Sequence, residues 1–113
     1  MKKSILVFVM IITVVIFSNC HSSRKAMAET KVTYENNMQT LVMNNCAPCH
    51  IPAKNGNKKA LDNYVALKDN IDNIIHRIEL HPGERGFMPF KRDRLSDSTI
   101  AVFKKWKEEG MLQ

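Results

Sequence analysis

The sequence predicts an all-α protein built around one small domain. Past residue 31, apolar residues recur at helical spacing in three segments, and no alternating apolar run is long enough for a strand. The length of 113 residues allows one domain at most, and part of that length has another use.

That other use is export. Residues 1–17, MKKSILVFVMIITVVIF, start with Lys2 and Lys3 and continue as an apolar run from Ile5 to Phe17, broken only by Thr13. A basic start followed by a hydrophobic stretch too short to span a bilayer comfortably is the pattern of a secretory signal. A buried core helix would carry polar positions at helical spacing, and this run has almost none. Two processing sites compete. FSNC, ending at Cys20, resembles the lipobox of bacterial lipoproteins, whose cysteine is freed and acylated. The small-x-small triplet Ala26 to Ala28 would suit ordinary signal peptidase. It lies eleven residues past Phe17, however, beyond Arg24 and Lys25. The sequence therefore divides into a lipoprotein-type signal at 1–19, a tether at 20–31 beginning with lipid-bearing Cys20, and a folded domain at 32–113. Cleavage at Ala28, giving a soluble periplasmic protein, is the alternative. Residues 21–31, HSSRKAMAETK, are small and polar, as a tether requires.

Charge excludes one function class. The whole chain carries +6; loss of residues 1–19 removes two lysines and leaves 15 basic against 11 acidic residues, a net +4. The basic residues are spread over KNGNKK, KRDR and KKWK rather than forming one tract. With export, that dispersal argues against nucleic-acid binding.

The helices follow in order. From a Thr33 cap, Tyr34, Met38, Leu41, Val42 and Asn45 fall on one face and lead directly into Cys46. A second helix is predicted over NIDNIIHRIEL, with Ile71, Ile74, Ile75 and Ile78 sharing a face and Asp69 or Asn70 as cap. A short separate helix, ALDNYVALKD, would precede it. The last helix, LSDSTIAVFKKWKEEG, has Ser96 as cap, Ile100, Val102, Phe103 and Trp106 in one arc, and Gly110 as stop. HPGERGFMPFKRDR, with two glycines and two prolines, must be loop.

About eighty residues with few large apolar side chains make a thin core, and a domain this small usually needs a staple. With Cys20 upstream, Cys46 and Cys49 are the available staple. A disulfide between them would close too small a loop to restrict the unfolded chain much. A thioredoxin-type dithiol sits on a strand-to-helix turn, and no strand is predicted. Zinc needs four ligands, and no second pair of suitable spacing is present.

Covalent haem remains. CAPCH, residues 46–50, fits C-x-x-C-H. Two thiols so spaced project from one side of a helical turn, where each can add to a vinyl group on one porphyrin edge, and His50 then lies beneath the iron. The candidates for the other axial position are Met27, Met38, Met43, Met88, Met111, His76 and His81. Met38 belongs to the apolar face of the first helix and Met43 to its opposite face. Met27 is in the tether and Met111 follows the final helix. His76 lies away from the isoleucine stripe, and His81, before a proline, is the runner-up. Met88 is preferred: it sits in GFMPF, 38 residues past His50, beside the stiff Pro89 and between Phe87 and Phe90. Methionine and histidine together hold iron in cytochromes c.

With these features the chain resembles the small monohaem class I cytochromes c. The likeness rests on the helix entering CAPCH, the NIIHRI helix, the Met88-Pro89 loop and the closing helix with Trp106. It implies first and last helices crossing around one covalent haem c with an exposed edge, Cys46 and Cys49 as thioether partners, His50 as proximal ligand and Met88 as distal ligand. It further implies a one-electron carrier without catalytic activity of its own, serving protein redox partners on the periplasmic side of a bacterial membrane. Trp106 matches an aromatic packing position in that family. A haem-based gas sensor, in which Met88 gives way, and an electron-transfer subunit of a larger oxidoreductase are the alternatives.

Overall fold

The computed structural model describes residues 30–113. The signal run, Cys20, Met27 and the Ala28 site lie outside the described residues. The described part is helical, as expected. A π-helical turn, Tyr34–Met38, continues into α1, Gln39–Asn45. A 3-10 turn follows at Pro52–Lys54, then α2, Tyr64–Glu79, and α3, Asp97–Glu108. Residues 80–96 contain no helix or strand. Among the described residues the one pairing of strand type is an isolated bridge between Thr33 and Leu112. No helix among the described residues is long and apolar enough to cross a membrane.

Thr33 starts the first helix as expected: its Oγ1 accepts the Asn36 N–H at 3.2 Å, while Asn37 Oδ1 accepts the Thr33 N–H at 3.0 Å. These reciprocal bonds satisfy donors that the opening turn leaves unpaired. The turn is wider than α because the Thr33 carbonyl accepts from both Asn37 and Met38. Ser96 likewise caps α3 by accepting from the Thr99 N–H at 3.2 Å.

The middle of the chain departs from expectation. The two predicted helices over residues 60–80 are one, capped by Asn63, whose side chain accepts from the Ala66 N–H at 2.9 Å. Asn70 caps nothing; its amide turns back one helical turn and donates to the Ala66 carbonyl at 2.7 Å. With no Gly or Pro between residues 60 and 80, nothing interrupts the helix. Leu67 extends the isoleucine stripe, so Leu67, Ile71, Ile74 and Ile78 are all buried.

This stripe meets Ile100 and Phe103 of α3 and the buried face of the first helix, Tyr34, Met38 and Val42, in one core. The two ends of the described chain are joined beside it. Tyr34 N–H donates to the Leu112 carbonyl at 2.9 Å, and Val32 N–H to Glu109 Oε2 at 2.7 Å. An edge-to-face aromatic chain runs from Tyr34 through Tyr64 to Trp106, with centroid separations of 5.7 and 6.2 Å. Trp106 is fully buried and its indole N–H donates to the Leu112 carbonyl at 2.8 Å, so it is a packing residue and a clasp.

Candidate haem-binding site

The first helix delivers Cys46 at its end, where the Cys46 N–H still donates to the Val42 carbonyl at 2.8 Å. One further turn, His50 N–H to the Cys46 carbonyl at 3.1 Å, carries the chain through Cys49 to His50. The chain then reverses. Asn55 takes a left-handed conformation (φ 61°), and Gly56 N–H donates to the Ile51 carbonyl at 3.1 Å. The returning strand of loop lies directly on the C-x-x-C-H turn: Lys58 N–H reaches the Cys49 carbonyl and Leu61 N–H the His50 carbonyl, each at 3.0 Å.

This loop also fixes the imidazole. His50 Nδ1 lies 2.7 Å from the Lys59 carbonyl. A carbonyl only accepts, so Nδ1 carries the proton and Nε2 keeps its lone pair for a metal. Pro52, close to His50 in sequence, has no part in this; it opens the 3-10 turn instead.

Cys46, Cys49, His50 and Met88 line one cavity of about 560 Å³. Its apolar wall comes from Leu61, from Ile74 and Ile78 of α2, and from Leu95 and Phe103. Met88 is half-buried, and its N–H donates to the Arg77 carbonyl at 3.1 Å. The other axial candidates within the described residues lie elsewhere: Met38 is fully buried in the core, His76 and His81 are exposed, and Met43 and Met111 pack at the core margin. Met43 thus belongs to the helix's partly buried side rather than to the face opposite the core. Lys58, Lys59, Arg77 and Arg92 line the cavity as well, and no carboxylate is among the lining residues.

The chemistry of these donors suits a covalent macrocycle better than the rival uses of two thiols. Cys46 and Cys49 are free, and among the described residues no group of three or more His, Cys, Asp or Glu side chains is arranged to hold a bare metal ion. Burial pushes the Cys46 thiol up to about 11, against a weaker downward pull from Arg92. Reactive dithiols have depressed thiol pKa values. An apolar slot with two thiols and an oriented imidazole at its wall fits haem c.

Residues 5–109 match the NapC/NirT cytochrome c family, N-terminal region. The chain belongs to that family. Comparison with curated proteins and with solved structures gives no match. NapC/NirT cytochromes are multihaem electron-transfer proteins with covalently bound haem c, and they work with redox partners. The present NapC/NirT chain has three cysteines and one C-x-x-C-H motif, at Cys46 to His50.

Two parts of this cytochrome's site escaped the sequence reading. The Lys59 carbonyl has no signal in sequence, because every residue offers a carbonyl. Gly56 did have one: Asn55-Gly56 is a turn-forming pair, hidden inside a segment read for its charge.

Proposed function

We propose that this protein is a one-electron carrier with a single covalent haem c, exported and held by a lipid on Cys20 at the periplasmic side of a bacterial membrane. The observation that carries the reading is the meeting of Met88 with Cys46, Cys49 and His50 around one cavity, although 38 residues separate Met88 from His50. Haem c, when bound, supplies reversible one-electron chemistry at its iron. The two thiols would fix one edge of the group, and His50, its Nδ1–H held by Lys59, would offer Nε2 from the proximal side. Met88 would fill the distal side with a neutral thioether, which favours the ferrous state and raises the potential. Leu61, Ile74, Ile78 and Phe103 would keep water from the group, and Lys58 and Lys59, which also line the cavity, suit its two propionates. Exposed Lys58, Lys59 and Lys91 would steer acidic redox partners into brief encounters.

Two measurements test this. The intact mass of the exported protein should equal the chain from Cys20 plus one haem and acyl chains. A mass without haem sinks the proposal, and a mass starting at Glu29 removes the lipid. Met88→Ala should abolish the far-red sulfur-to-iron band of the ferric protein, lower its potential and let the ferrous form bind carbon monoxide. An unchanged spectrum rules out the distal role.

A further inference from the structure

The loop that presents Met88 has no secondary structure, and most of residues 81–94 are exposed. Two arginines bracket the methionine and tie the loop down on either side.

Arg77, in α2, holds the near side. Its Nε–H donates to Asn73 Oδ1 at 3.0 Å, which aims the guanidinium along the helix, and Nη1 donates to the Gly86 carbonyl at 3.4 Å. Gly86, two residues before Met88, has φ +98°, a left-handed conformation that side chains rarely adopt. The Arg77 backbone carbonyl meanwhile accepts the Met88 N–H. Arg92, four residues after Met88, holds the far side. Its Nη1 and Nη2 donate to the carbonyls of Asn45 and Asn44, each at 3.3 Å. These carbonyls end α1, where the backbone has no partner for them and a cation is favoured. Cys46 follows at once.

The two clips therefore end on different walls of one cavity. Arg77 fixes the loop to the helix that supplies Ile74 and Ile78; Arg92 fixes it to the helix that delivers Cys46 and His50. With both in place, Met88 has a set position relative to the proximal turn. Losing either side chain leaves that position to one clip, the Met88 N–H bond to the Arg77 carbonyl and the buried Pro89. We infer that Arg77 and Arg92 are positioning residues that act through Met88 and set how readily the distal side opens to an outside ligand. The inference rests on Met88 as the distal ligand.

Imidazole binding to the ferric holoprotein reads this directly, followed by loss of the far-red band. Arg77→Gln and Arg92→Gln should each tighten imidazole binding about tenfold, as expected for losing a charged hydrogen bond from the closed state. Arg77→Lys and Arg92→Lys, which keep the charge, should fall between. In a Met88→Ala background the same glutamine substitutions should change imidazole affinity less than twofold, since no loop ligand remains to be held. Equal tightening in both backgrounds would overturn the inference, because the arginines would then act on the cavity or the propionates. Unchanged affinity in the Met88 background would overturn it too. If Met88→Ala by itself alters neither band nor affinity, the distal reading has failed, and the inference falls with it by a separate and recognisable route.

Discussion

Gly56→Ala is expected to prevent the haem-attachment turn from closing. A Cβ at residue 56 would lie 2.3 Å from the Pro48 carbonyl oxygen, 2.6 Å from the Cys49 oxygen and 2.8 Å from the Ile51 nitrogen. All three are backbone atoms of the very turn that contains Cys49 and His50, and all three are already committed: Ile51 N–H donates to the Pro48 carbonyl and Lys58 N–H to the Cys49 carbonyl. No side chain can swing aside, so the returning loop must retreat, taking with it the Lys59 carbonyl that orients His50. Overpacking against backbone should destabilise the domain by about 3 kcal/mol or more, at the upper end for such changes. In a domain of this size that lowers the melting temperature by roughly 12 °C or more. The check is a thermal melt together with the ratio of haem to protein absorbance in the exported material. Gly83→Ala is the matched control. At Gly83 (φ +96°) nothing lies within 4 Å of the added atom, so only conformational strain of about 1–2 kcal/mol applies. Equal effects at the two glycines would remove the close-approach argument.

Trp106→Ala should be comparably damaging for a different reason. The indole is fully buried, touches Tyr64 edge to face and donates to the Leu112 carbonyl, which also accepts from Tyr34. Tyr64 in turn donates to the Met111 carbonyl at 3.0 Å. Truncation leaves a large void and removes one of the donors that hold the closing segment, a loss of about 3–5 kcal/mol. Trp106→Phe keeps most of the packing and removes one of the two donors to the Leu112 carbonyl, which Tyr34 still serves, and should lose roughly 1 kcal/mol. Denaturant titration of the holoprotein separates the two. Since the indole N–H is occupied by Leu112 and Trp106 does not line the cavity, the Phe variant should keep the native visible spectrum.

Much of the architecture was legible because burial leaves a periodic trace. The stripes of the first and last helices reappear as buried Tyr34, Met38 and Val42, and as buried Ile100, Phe103 and Trp106. Thr33 and Ser96 cap as their position suggested. The failure came at residues 60–80. Asn70 and Asp69 look like a helix start in isolation, but an Asn can hydrogen-bond backward to a carbonyl as readily as forward to an N–H, and the context decides. Leu67, four residues before Ile71, was the sign that the stripe had begun earlier. C-x-x-C-H was unmistakable, whereas the groups surrounding it were not. The Lys59 carbonyl, the Arg77 contact with Gly86 and the Arg92 contact with Asn44 and Asn45 join residues 9, 9, 48 and 47 positions apart. Composition and spacing do not encode such pairs; the folding of the loops creates them.

The Thr33–Leu112 bridge has a practical meaning. Whatever enters the domain ahead of residue 33 arrives beside the place where the polypeptide leaves it, as in many autonomous modules. The domain can therefore be threaded into another protein, or have its old termini sealed by a few residues and new ones cut elsewhere, without any linker having to traverse the body. Tension applied between the two termini would load the Tyr34–Leu112 and Val32–Glu109 bonds before the slot between the helices.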